Sequence, residues 1–190
     1  MIRRADQFLL IATLLPLCWL SMMAAHEGGH FLCARLTNGQ VTSVVLHPFA
    51  ISRTDVMPNP QPLIVCWGGP ILGCAVPLIL WGICRMLIAR LLFLMRFFAG
   101  FCLIANGAYI GIGSFDGIGD AGELLRLGTS PPILWGFGLL TIPTGFLVWH
   151  GAGDDFGFGP HAKAVDPAAP KLTTVLLIVI VVMEFSFGHS

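Results

Sequence analysis

Two histidines stand four residues apart in His26-Glu27-Gly28-Gly29-His30. On a helix, residues i and i+4 lie on one face, so both imidazoles can turn toward a common point. Converging in this way they can share one metal ion, and the glutamate beside them can reach a water at an open coordination position. A bound zinc ion lowers the pKa of such a water to about 7, where a carboxylate can take its proton. The spacing therefore predicts one Zn2+ held by His26 and His30, with Glu27 as general base. The surrounding residues are almost wholly apolar, and a charge in a membrane helix costs about 2.5–3.5 kcal/mol on insertion scales. Three polar side chains within five positions need a compensating partner there, and a coordinated cation is one.

A catalytic zinc usually takes three protein ligands. The remaining histidines, His47, His150, His161 and His189, fall in a strand region, near helix ends or in loops. Carboxylates after the third apolar segment are better placed: Asp116 and Asp120, with Glu123 behind them. In a continuous helix the two aspartates would share a face. Asp120 is preferred to Asp116, and the choice stays open, because Asp120 also suits a helix N-cap and Asp116 a turn before Gly117. The six cysteines all lie in apolar stretches and form no C-x-x-C pair, so buried, reduced thiols are expected rather than a thiolate metal site.

The elements that must position these groups are membrane helices. Of 190 residues, 56% are hydrophobic and 11% charged, against about a quarter charged in soluble domains. Lipid must be the solvent of such a chain. A formal net charge of zero gives no footprint for nucleic acid. Arg3 and Arg4 before the apolar run Phe8–Leu20, with Ala24-Ala25 after it, resemble a cleavable signal peptide. The apolar pattern continues through Phe31-Leu32-Cys33, so the segment is expected to be retained as a membrane helix. Five membrane segments are predicted, at about Phe8–Leu36, Leu63–Leu87, Leu91–Ile112, Ile133–Trp149 and Leu172–Phe187. Val41–Leu46 reads as a strand, and Ala50–Arg53 as its hairpin partner. The expected fold is thus an all-α membrane protein, a single integral membrane domain over 1–190. Residues 1–127 form a three-helix core with a short membrane-associated β-hairpin, and 128–190 supply two more helices and the polar loop Gly151–Pro170. With the N-terminus in the cytoplasm, seven basic residues (Arg3, Arg4, Arg85, Arg90, Arg96, Lys163 and Lys171) fall inside, against Arg35, Arg53 and Arg126 outside. That orientation puts the H-E-x-x-H end of the first segment and the aspartates on one side.

These residues resemble the site-2 protease family of intramembrane zinc metalloproteases, in its compact bacterial branch. The resemblance covers roughly Leu14 to Leu127. It is carried by His26–His30 followed by Ala34-Arg35 and Asn38-Gly39, by the strand from Val41 to Leu46, by Gly68-Gly69-Pro70 with Gly73, and by Asp120-Ala121-Gly122 with Leu124-Leu125. No proline lies between Asn106 and Asp116, where better-known members carry two before a leucine-aspartate-glycine. The resemblance implies zinc held by the two histidines and the later aspartate. It also implies hydrolysis of peptide bonds in a membrane-associated substrate, and a place in the bacterial inner membrane. Asn106 is a candidate for orienting that substrate, and Val41, Ser43 and Val45 for pairing with it by strand addition. The competing expectations are a non-proteolytic zinc-binding membrane protein, such as a sensor or degenerate protease, and a small transporter component with His26, Glu27 and Asp116 as pathway residues.

Overall fold

The apolar runs become helices where their lengths require it. The computed structural model describes residues 4–87 and 90–187; Arg3 and His189 lie outside the described residues. In chain order the elements are α1 (Arg4–Leu36), β1 (Val41–Val45), β2 (Arg53–Val56), α2 (Pro62–Leu87), α3 (Leu92–Gly111), α4 (Gly113–Asp116), α5 (Gly119–Arg126), α6 (Pro131–Trp149), a 3-10 turn at Ala152–Phe156, and α7 (Ala168–Phe187). Among the described residues, five helices are long and apolar enough to cross a membrane: α1, α2, α3 with α4, α6 and α7. The protein is an all-α membrane fold with one two-stranded sheet. At about 1.5 Å per residue, the 33 residues of α1 outrun the roughly 30 Å hydrocarbon layer, so its last turns, which carry the histidines, can reach the interface.

Small residues let the helices approach closely, as expected where lipid offers no hydrophobic drive for packing. A side chain at Gly29 of α1 would meet the backbone of Gly68 on α2, and one at Gly111 of α3 would lie 3.1 Å from the Gly138 Cα of α6. Polar ties close the opposite end of the bundle from the histidines. Arg90 forms a fork onto the Asp166 carboxylate. Arg96 donates to the carbonyls of Val148 and His150 at the C-terminal end of α6, and the Trp149 indole donates to the Phe97 carbonyl at 2.7 Å. Between α1 and α7, the buried hydroxyls of Thr13 and Thr173 lie 2.7 Å apart.

The hairpin differs from expectation in its return strand. The chain first turns at His47–Ala50, where the Ala50 N–H meets the His47 carbonyl and the Phe49 N–H meets His47 Nδ1. The partner strand therefore starts at Arg53 instead of ending there. Val41 pairs with Val56, Ser43 with Asp55, Val44 with Thr54 and Val45 with Arg53, around an irregularity at Thr42. After α3 the backbone breaks twice, at Gly117 (φ 62°) and Gly119 (φ 55°), both in the left-handed region that suits glycine. The break separates α4 from α5 and turns the chain back toward α1.

Candidate metal centre

His26 and His30 face the same way from α1, both buried, with ring centroids 4.8 Å apart. The Asp120 carboxylate comes to them from the first turn of α5. Its Oδ2 lies 2.7 Å from His26 Nε2 and 3.2 Å from His30 Nε2. One ligand atom from each of the three residues falls within 4.8 Å of the others. Asp116 is exposed on α4 and takes no part. The left-handed turn at Gly117 means the two aspartates do not share a helical face. His47, His150 and His161 are likewise outside the cluster.

Each imidazole is fixed from behind. His26 Nδ1 lies 2.6 Å from Asn106 Oδ1, and the Asn106 amide nitrogen donates to the Cys102 carbonyl at 2.9 Å, which engages both ends of that amide. His30 Nδ1 lies 2.8 Å from the Val65 carbonyl. Carbonyl oxygens only accept, so both Nδ1 atoms must carry protons. That leaves the Nε2 lone pair of each ring aimed at a carboxylate oxygen, which also only accepts. Three acceptors converging in this way need a cation between them, either a proton or a metal. Backing of ring N–H groups by carbonyls is the arrangement that orients metal-binding histidines. Burial alone would raise the pKa of Asp120. In the metal-free site, the proton shared with His26 and His30 and the positive charge it brings outweigh burial and hold the carboxyl well below the usual range.

Room for the cluster comes from α2. A side chain at Gly69 would collide with Nε2 of both His30 and His26, and one at Gly73 would press on the Asn106 amide at 3.0 Å. Glycine at these positions lets the backbone of α2 lie directly against the ligands. Tyr109, the chain's one tyrosine, accepts the Asp120 N–H at 3.1 Å through its hydroxyl and sets its ring edge-on to His26. It stands three residues after Asn106 on α3, a spacing that puts both on one face. That spacing was a signal available in the sequence.

Glu27 is buried, 4% exposed, and its Oε2 accepts a 2.7 Å hydrogen bond from the Thr54 hydroxyl on β2. Glu27, His26, His30, Asp120, Asn106 and Tyr109 all line one cleft of about 1170 Å3. Its hairpin wall consists of Thr42 and the stretch from Ala50 to Met57, which contains β2. Of the β1 residues expected to meet substrate, Val41 and Ser43 line a separate cleft beyond α1, while Val45 pairs with Arg53. Thr54, Tyr109 and the Val65 carbonyl were not among the residues anticipated for the site.

Fold and centre together define a class: a membrane protein with five helices able to span and a buried two-histidine, one-carboxylate cluster beside a glutamate. Searches of protein-family models, of curated proteins and of solved structures found no match to this chain.

Proposed function

We propose that the protein is an intramembrane zinc metalloprotease, hydrolysing peptide bonds of membrane-associated substrates. The observation that carries this reading is the convergence of three potential ligand atoms, His26 Nε2, His30 Nε2 and Asp120 Oδ2, in a cleft shared with Glu27. The donor set fits zinc: two imidazoles and one carboxylate, with both rings backed by carbonyls. When bound, the ion would supply Lewis-acid polarisation of a carbonyl and acidify a water. Glu27 accepts a proton from the water that attacks the peptide carbonyl. As the carbon–nitrogen bond breaks, it passes that proton to the leaving amine. Thr54 holds the glutamate in place for both transfers. Asn106 keeps the His26 ring turned toward Asp120.

A helical substrate has its backbone groups satisfied internally, so it must unwind before cleavage. The hairpin over the cleft, with β2 forming its wall, offers strand pairing to such an extended segment. The concentration of basic residues at the end opposite the histidines supports a cytoplasmic N-terminus in a bacterial inner membrane, with the cleft opening to the other side. The resemblance to site-2 proteases accords with all of these assignments.

The decisive variant is Glu27→Gln. Purified in detergent, it is expected to keep stoichiometric zinc while losing hydrolysis of a membrane-embedded reporter peptide. Full activity in that variant would remove the proposed base. Absence of both zinc and cleavage in the wild-type protein supplied with zinc would remove the proposal itself.

A further inference from the structure

Glu184 lies near the C-terminal end of α7 and is 4% exposed. Neither of its carboxylate oxygens has a hydrogen-bond partner among the described residues. Its helix is otherwise almost wholly apolar, in the sequence Leu-Thr-Thr-Val-Leu-Leu-Ile-Val-Ile-Val-Val-Met-Glu. An unpaired acid in that setting is costly in either form. Ionised, it lacks a cation; protonated, it holds a donor with no acceptor.

The carboxylate lines a second cleft, of about 1070 Å3, bounded by α1, α7, the start of α3 and β1. From α1 this cleft takes Leu14, Cys18 and Ser21, spaced three and four residues apart on one face. Met22, His26 and His30 face the metal centre from the other side of the same helix. The two clefts are therefore back to back, and Glu184 has no part in the chemistry of the first.

Dimensions choose the occupant. The walls run from Leu14 to Ala24 on α1 and from Leu172 to Glu184 on α7, a rise of about 15–18 Å. That is roughly one leaflet of a 30 Å hydrocarbon layer. The strand residues Val41–Val44 close the cleft. Acyl chains of one leaflet suit both the length and the apolar walls, and the carboxylate sits near the end of α7, where a headgroup begins. A primary ammonium is the complement of an unpaired carboxylate, bringing both a positive charge and three N–H donors. We propose that this cleft binds a membrane lipid with a primary-amine headgroup, of the phosphatidylethanolamine type. Its ammonium meets Glu184 and its chains lie between α1, α3 and α7.

The full-length protein, purified in detergent, is titrated with phosphatidylethanolamine, phosphatidylcholine and phosphatidylglycerol of identical chains. Bound lipid is counted by native mass spectrometry, and thermal unfolding is followed in parallel. One phosphatidylethanolamine is expected to be retained at a concentration at least about tenfold below that needed for the other two, as befits a hydrogen bond to a charged group. Phosphatidylcholine has the same charge but no N–H, so it isolates the hydrogen bond. In Glu184→Leu, which keeps neither the charge nor an acceptor, the preference should vanish while zinc content is unchanged. Ser21→Trp, which fills the cleft, should reduce retention of all three lipids. Equal retention of the three by the wild-type protein would overturn the proposal. So would a preference that survives Glu184→Leu, or a co-purifying membrane polypeptide seated in the cleft in place of lipid.

Discussion

Replacing Asn106 by alanine removes the acceptor that fixes His26 and leaves an imidazole N–H facing a buried void, since Asn106 is 1% and His26 7% exposed. Two independent routes give the size of the effect. Loss of the carbonyl partner behind a metal-binding histidine typically lowers metal affinity about 10–100-fold, or about 1.4–2.8 kcal/mol. A buried donor left without an acceptor costs about 1–3 kcal/mol. The routes agree, so zinc affinity in Asn106→Ala should fall by one to two orders of magnitude. It should not vanish, because His30 is held by the main-chain carbonyl of Val65, which no side-chain change removes. Two further variants separate the hydrogen bond from packing. Asn106→Leu fills the space without an acceptor and should behave like alanine. Asn106→Asp keeps the acceptor and adds charge, and should recover most of the affinity. Competition against a chromophoric zinc chelator at fixed pH reads all three, with circular dichroism confirming helix content. An alanine variant within about threefold of wild type, or an aspartate variant no better than leucine, would refute this account of how His26 is held.

Gly69→Ala would ordinarily favour the helix by about 1 kcal/mol, yet its methyl group falls on Nε2 of both histidines. The expected outcome is a folded protein that elutes from size exclusion without zinc. Thr54→Val removes the hydroxyl that holds Glu27 Oε2; turnover of a reporter peptide should drop about tenfold or more while zinc content holds. The imidazoles beside Asp120 hold its pKa below the usual carboxylate range, so near neutral pH the carboxylate is ionised and the proton shared in the metal-free cluster resides on an imidazole. Zinc binding near neutral pH should therefore release protons to an indicator dye. Affinity should fall as pH is lowered, because protons then compete with the ion for the cluster. Zinc uptake without proton release would contradict the protonation pattern inferred for the cluster.

Most of the fold was legible because lipid imposes a simple rule on sequence. An apolar run long enough to span must become a helix, and the five observed spans begin and end within a few residues of the apolar runs. His26 and His30 were legible for a similar reason, since their spacing is one helical turn. Choosing between Asp116 and Asp120 was harder. A shared face would follow from a continuous helix, and the backbone instead breaks at Gly117 and Gly119. Glycine in a sequence marks freedom to adopt positive φ without showing that the freedom is used. The return strand moved for a related cause: His47–Ala50 folds into a turn held by His47 itself, and only then can pairing begin. Thr54 acquired its place over Glu27 from that register, so it could not be identified before the register was known. Glu184 had a clear signal, a lone acid in a span, and its unpaired state emerged only once its neighbours were placed.

The glycines of the motif and of α2 form a single device. Packed helices normally lie about 8–10 Å apart, with side chains filling the space between axes. At the metal centre, Gly29 and Gly68 bring the backbones of α1 and α2 together, and Gly69 leaves the opening into which both imidazoles fit. Gly73 extends the same opening to Asn106, which steadies one of those imidazoles from α3. Gly28, by contrast, is exposed and has no atom within 4 Å of where a Cβ would lie. The two glycines of H-E-G-G-H are therefore not equivalent. One is required by the contact with α2, and the other is free of it. In lipid, irregular backbone is confined to places buried in protein or facing water, so a site between spanning helices must be opened by omitting side chains. The small residues of α2 are accordingly as much part of the centre as the histidines they accommodate.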